Sequence, residues 1–68
     1  DKGGNIPTAF NAANEFAVAR FLNQKIKYTD ITEIIEYAMN EIPFIDNPSV
    51  SEILDTERQV YEMVESRW

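Results

Sequence analysis

The chain has neither cysteine nor histidine among its 68 residues. Without cysteine there is no disulfide framework and no thiolate metal site, and the redox compartment is left open. Without either residue the usual zinc sites, a Ser/His/Asp triad and a Cys/His pair are excluded. Positive charge is also scarce, with six Lys and Arg against twelve Asp and Glu and a formal net charge of -6. Those six cations are scattered, whereas binding phosphates needs them clustered, which argues against nucleic acid. No apolar run approaches the ~18 residues of a membrane span, and no signal-peptide pattern is visible. A chain below ~70–80 residues seldom builds a core worth more than ~3–5 kcal/mol, so this one is expected to rely on something outside itself. It opens Asp1-Lys2-Gly3-Gly4 with no initiator methionine and reads as a piece excised from a longer protein, with its last helix cut at Trp68.

What the chain does have is helical periodicity. The central stretch is Asn11 to Leu22, NAANEFAVARFL. At 100° per residue Phe10, Ala13, Ala17 and Phe21 share one stripe, and Ala9, Ala12, Phe16 and Ala19 cover much of the other side. A helix apolar nearly all round is expected to be buried. Asn11, Asn14 and Glu15 gather along the edge of the Phe/Ala stripe, and Val18 and Leu22 continue that edge. Residues 1–6 read as a linker in which Gly3-Gly4 permits backbone angles closed to other residues. Pro7 suits a first helical turn. The helix should run to about Asn23, with Asn23 or Lys25 standing in for a C-terminal glycine.

Ile26 and Tyr28 form an apolar pair in the following connection. Thr29 or Asp30 should cap a second helix, with Glu33 completing a capping box. Ile31, Ile34, Ile35, Ala38, Met39 and Ile42 then follow helical spacing, Glu33, Glu36, Asn40 and Glu41 face away, and Pro43 stops the run. Phe44 to Pro48 is an extended connection, with Phe44 and Ile45 expected over the open end of the core. Ser49 with Glu52 makes another capping box. It should open a short helical turn burying Val50, Ile53 and Leu54, after which Asp55 caps a further helix. That helix carries Val60, Tyr61, Val64 and Trp68 inside and Glu57, Glu62, Glu65 and Arg67 outside. Period-2 alternation never lasts four residues outside the connections. The expected fold is therefore all-α, a small bundle of three main helices plus one short helix over residues 7–68.

Chemistry-bearing constellations are few. Glu33, Glu36 and Tyr37 share an outer face, but without a dry pocket or a calcium-loop pattern such carboxylates read as solvated surface. The same holds for Glu57, Glu62 and Glu65. Asn11, Asn14 and Glu15 are the candidates for something beyond packing, because an amide within an apolar stripe must find partners or lose ~1–3 kcal/mol. Two readings stand side by side. These residues either grip backbone in an adjoining segment or domain, or form a locally satisfied, solvated edge. Among Tyr28, Tyr37, Tyr61 and Trp68, aromatics at helical spacing read as core or domain contact; Tyr37 alone points away from the isoleucine stripe, toward a missing neighbour.

Gly3-Gly4-x-x-Pro7 followed by Asn11-Ala12-Ala13-Asn14-Glu15, then Phe21-Leu22, Ile26, Tyr28, Thr29-Asp30-Ile31 and the Pro48-Ser49-Val50-Ser51-Glu52 segment, resembles the C-terminal helical domain of the 1-deoxy-D-xylulose 5-phosphate reductoisomerases. The resemblance covers the whole chain; Lys25 departs from it, where many members carry glycine. It implies a parent enzyme of the non-mevalonate isoprenoid pathway, cytoplasmic or plastid, that converts 1-deoxy-D-xylulose 5-phosphate to 2-C-methyl-D-erythritol 4-phosphate. That enzyme uses NADPH and Mg2+ or Mn2+, and it is homodimeric. The nucleotide-binding and metal-holding motifs belong to the family's other domains. No catalytic, cofactor or metal residue is therefore assigned to this stretch, and Gly3-Gly4 is no GxGxxG and follows no strand. The implied role is docking on the catalytic domain of the same chain, and the excised piece should be inactive and expose apolar surface that self-associates. The competing reading is a free-standing acidic interaction module like a carrier protein. Where that fold carries its prosthetic-group serine in Asp-Ser-Leu, this chain has Asp30-Ile31-Thr32.

Overall fold

The computed structural model describes residues 3–68. Three helices account for its regular structure, α1 (Ile6–Leu22), α2 (Tyr28–Glu41) and α3 (Val50–Glu65), with no strand among the described residues. The all-α bundle is as expected. α1 packs against both other helices, and α2 and α3 touch each other less. The core consists of Ala9, Ala12, Ala13, Phe16 and Ala17 from α1, Ile34 and Ala38 from α2 with Ile42 just beyond it, and Val60 and Val64 from α3. Half of these ten are alanines, and small side chains at a crossing let helix axes approach closely. Ile26, Ile31, Ile35, Met39 and Met63 close the margins.

The segment ahead of α1 is packed into the fold instead of forming a linker; Asp1 and Lys2 of that expectation lie outside the described residues. Asn5 is fully buried. Its backbone N–H donates to the Ile45 carbonyl at 3.1 Å, and its own carbonyl accepts from the Ala9 N–H at 3.0 Å, starting α1. Its side-chain amide donates to the Pro43 carbonyl at 2.9 Å and to Thr56 Oγ1 at 3.2 Å, while its Oδ1 accepts from the Ile45 N–H at 2.8 Å. One residue thus ties the start of α1 to the α2–α3 connection and to the first half of α3. Gly4 beside it has φ +53°, and a Cβ there would lie 2.3 Å from the Ile45 carbonyl oxygen and 2.6 Å from the Phe44 ring. Both the left-handed backbone and the close approach demand glycine.

The helix ends follow ordinary capping physics, with shifts from the sequence expectation. α1 ends in a Schellman arrangement in which the Lys25 N–H bonds the Arg20 carbonyl and the Gln24 N–H bonds the Phe21 carbonyl, both at 2.9 Å. Gln24, at φ 59°, takes the left-handed position, rather than Asn23 or Lys25. α2 starts two residues before Asp30. Lys27 precedes its first turn, and the Asp30 carboxylate, third in the helix, accepts from the Lys27 N–H at 2.9 Å. A carboxylate there also faces the positive end of the helix dipole. Ile42 is extended, as a residue before proline prefers to be, so α2 stops before Pro43.

α3 opens with the expected reciprocal box. The Ser49 hydroxyl accepts from the Glu52 N–H at 3.1 Å, and the Glu52 carboxylate accepts from the Ser49 N–H at 2.9 Å. The expected short helix is simply the first turns of α3. Val50 and Leu54 are 74 % and 60 % exposed rather than buried. Asp55 caps nothing; its carboxylate accepts from Arg58 and from Gln59 one turn on. The inner side of α3 is Thr56, Val60 and Val64. The helix ends at Glu65, and Trp68 turns back with its N–H on the Val64 carbonyl at 2.9 Å.

Asn5→Ala should destabilise the fold by about 2–4 kcal/mol, because it orphans the Ile45 N–H, the Pro43 carbonyl and the Thr56 hydroxyl together. Thr56→Val, which leaves the second amide hydrogen on Pro43, should cost about 1–2 kcal/mol. Urea unfolding of the three proteins measures both, and equal midpoints for wild type and Asn5→Ala would contradict the assignment.

Candidate functional site

α1 divides cleanly around its axis. Ala9, Ala12, Ala13, Phe16 and Ala17 face the other helices, and Phe10, Asn11, Val18, Phe21 and Leu22 are exposed, with Asn14 half-buried between them. The helix is therefore not buried all round. Phe10 and Phe21, expected inside with Ala13 and Ala17, sit on the solvent side of the stripe. Helical spacing of four, four and three residues aligns Phe10, Asn14, Val18 and Phe21 along one line. At its C-terminal end the Phe21 ring meets Tyr28 edge to face at 5.6 Å, extending the apolar face onto the start of α2.

The candidate residues from the sequence do not converge. Asn11 and Asn14 lie on this outward face, and no side-chain hydrogen bond joins either to another described residue. Glu15 sits at its border, where its carboxylate accepts from the Tyr61 hydroxyl at 3.0 Å, tying α1 to α3. Tyr37 is elsewhere, on α2, and already has neighbours. Trp68 packs edge to face on it at 5.6 Å, and the Arg67 guanidinium lies 4.5 Å from its ring centre. The vacancy expected at Tyr37 is filled by the chain's own C-terminal residues. Asn5, the most connected polar side chain, was hidden in a stretch that reads as linker.

Two open grooves flank these groups. One of about 360 Å³ is lined by Glu15, Phe16, Ala19, Arg20, Asn23, Tyr61 and Glu65. In it the Arg20 guanidinium stacks over Phe16, 4.7 Å from the ring centre, and Phe16 meets Tyr61 at 6.3 Å. The other, of about 390 Å³, is lined by Ser51, Glu52, Leu54, Asp55 and Arg58 on the outside of α3. There Arg58 bridges Asp55 and Glu62. The hydrogen bond from Arg58, with help from Gln59, holds the Asp55 carboxyl below its ordinary value, and the hydrogen bonds to Asp55 and Glu62 raise Arg58 above its own.

The described residues hold neither a cluster of metal-ligand side chains nor an open glycine loop. No three Asp or Glu side chains among them converge as metal ligands. Gly4 is buried under Phe44 and the Ile45 carbonyl instead of lying open to a pyrophosphate. No helix among the described residues is long and apolar enough to cross a membrane.

The class this defines is a small all-α bundle domain, with Phe10, Phe21 and Leu22 exposed along one helix. Its family is specific. Residues 1–63 match the DXP reductoisomerase C-terminal domain, and the chain belongs to that family. It is 67% identical over 98% of its length to the 1-deoxy-D-xylulose 5-phosphate reductoisomerase of Lachnospira eligens, and 65% identical over 97% to that of Agathobacter rectalis. The Thermoanaerobacter pseudethanolicus enzyme is 41% identical over 97%. The chain spans only 17–18% of the length of these relatives. No solved structure matches.

The Tyr61 hydroxyl is raised above its ordinary value, first by burial and then by its hydrogen bond to Glu15 and the charges of Glu15 and Glu57. A raised folded value favours the protonated form, so this contribution to stability is complete below pH ~10 and is lost as pH climbs through the raised value. Tyr61→Phe should flatten the alkaline limb of a stability–pH curve from urea midpoints. An unchanged limb would show that Tyr61 does not carry it.

Proposed function

We propose that this domain is the structural C-terminal part of an isoprenoid-pathway reductoisomerase. It docks on the catalytic part of the same chain and helps hold the cleft where 1-deoxy-D-xylulose 5-phosphate is rearranged and reduced to 2-C-methyl-D-erythritol 4-phosphate. NADPH and a divalent cation, Mg2+ or Mn2+, supply the hydride and the electrophile when bound to that other part. This domain contributes shape and no reacting group.

One observation carries the reading. A chain that matches the family's C-terminal domain over residues 1–63 spans under a fifth of its relatives, and its carboxylates lie on solvated faces or pair with neighbours on the same helix. Docking suits its size as well, since a core of ten residues, half of them alanine, is modest even for a domain of this length. The family match also favours this over a free-standing interaction module, which would leave the likeness to a biosynthetic enzyme unexplained.

The test is made on a full-length reductoisomerase carrying this sequence as its C-terminal segment. Removing residues 3–68 should abolish most NADPH oxidation dependent on 1-deoxy-D-xylulose 5-phosphate and lower the melting temperature of what remains. The 68-residue chain alone should give no turnover with either cation. A truncated enzyme with undiminished activity and melting temperature would refute a structural role.

A further inference from the structure

We infer that the outward face of α1, continued by Tyr28, is the docking surface, and that its occupant is the larger part of the reductoisomerase chain. This rests on the docking role proposed above and names the surface and its chemistry.

The charge distribution singles out this face. α2 carries Asp30, Glu33, Glu36 and Glu41 with no cation, and α3 carries five acids and one arginine. α1, the longest of the three at 17 residues, carries only Glu15 and Arg20. Glu15 stands at the border of the outward face, where it accepts from the Tyr61 hydroxyl, and Arg20 lies on the opposite side over the core residue Phe16. In a chain of net charge -6, the line Phe10, Asn14, Val18 and Phe21 carries no charged residue, and on this side Phe10 is 46 % and Leu22 72 % exposed. Exposed apolar patches of this kind mark contact surfaces.

The other exposed apolar residues are a weaker candidate. Val50 and Leu54 stand one turn apart on α3 as a patch bordered by the charged Asp55–Arg58–Glu62 pairs, so whatever covers it must also cover those charges. Phe44 already lies over Gly4.

The two amides give the α1 face its specificity. Asn11 and Asn14 stand among Phe10, Val18 and Phe21 with no side-chain hydrogen bond to another described residue, and covering them without partners would cost the interface. The occupant therefore presents apolar side chains together with backbone N–H and C=O groups placed to meet these amides. With no charged residue along its centre, the contact should depend only weakly on salt. The occupant is the same polypeptide because the family's remaining four-fifths or more lies outside this domain.

Hydroxyl-radical labelling tests this in a full-length chain made by exchanging the matching segment of the Lachnospira eligens enzyme for residues 1–68. Phe10, Phe21, Leu22 and Tyr28 should label several-fold more slowly than Phe44 and Leu54, although the domain's own geometry exposes both groups. A Phe10→Ser/Phe21→Ser double variant should lower the melting temperature of the full chain, and Leu54→Ser should leave it unchanged. Protection of Phe44 and Leu54 with Phe10 and Phe21 labelled freely would overturn the choice of face while leaving docking intact. Protection of neither group would overturn docking itself. Protection of the α1 residues that disappears on dilution would overturn the occupant, assigning the face to a second copy.

Discussion

The fold depends on one buried amide. Asn5 is the point where the start of α1, the connection after α2 and the first half of α3 meet, and its side chain satisfies a carbonyl, an N–H and a hydroxyl at once. In a core this small, apolar contact sets little beyond proximity, since alanine surfaces slide past one another with slight change in buried area. Directional hydrogen bonds to backbone at Pro43 and Ile45 pick one arrangement. They also dictate the neighbours. Gly4 must lack a side chain to bring Asn5 against Ile45, and Thr56 must be polar where an inner position of α3 would otherwise be apolar.

From that constraint the three helices acquire distinct duties. α1 supplies alanines for close packing and turns its phenylalanines outward. α2 supplies the branched bulk of Ile34, with Ile42 just beyond its end, and α3 supplies Val60 and Val64. α2 and α3 keep their solvent sides acidic, so they stay wet. α1 does not, and this asymmetry fits a domain made to be one side of a larger molecule. The pairing of Tyr37 with Trp68 and Arg67 closes the other place where a neighbour was expected.

Much of this was legible in the residues. The spacing from Ile31 to Ile42, the stop at Pro43 and the Ser49–Glu52 box are strong local signals, and each describes the structure. α1 misled for a physical reason. Where alanines occupy both sides of a helix the hydrophobic pattern has almost no direction, so it does not separate the packed side from the exposed one, and Phe10 and Phe21 read as inner residues. Asp30 and Asp55 show a second limit. A carboxylate near a helix start serves equally before the first turn, within it, or as a partner one turn along, and only the tertiary fold decides. Asn5 was least legible, because Gly-Gly-Asn is also the composition of a flexible turn. The family likeness, by contrast, rests on the order of short motifs and does not depend on periodicity.

The most direct test of the account is native-state hydrogen exchange at the Ile45 amide. This residue lies in a connection with no regular structure, and connections of that kind ordinarily exchange by local fluctuation. If Asn5 holds the fold together, the Ile45 N–H should exchange only through global unfolding, with the same protection and the same denaturant dependence as Ile34 and Val60 in the core helices. An Ile45 amide that exchanges by local opening while those two remain protected would show that the core stands without the Asn5 clamp.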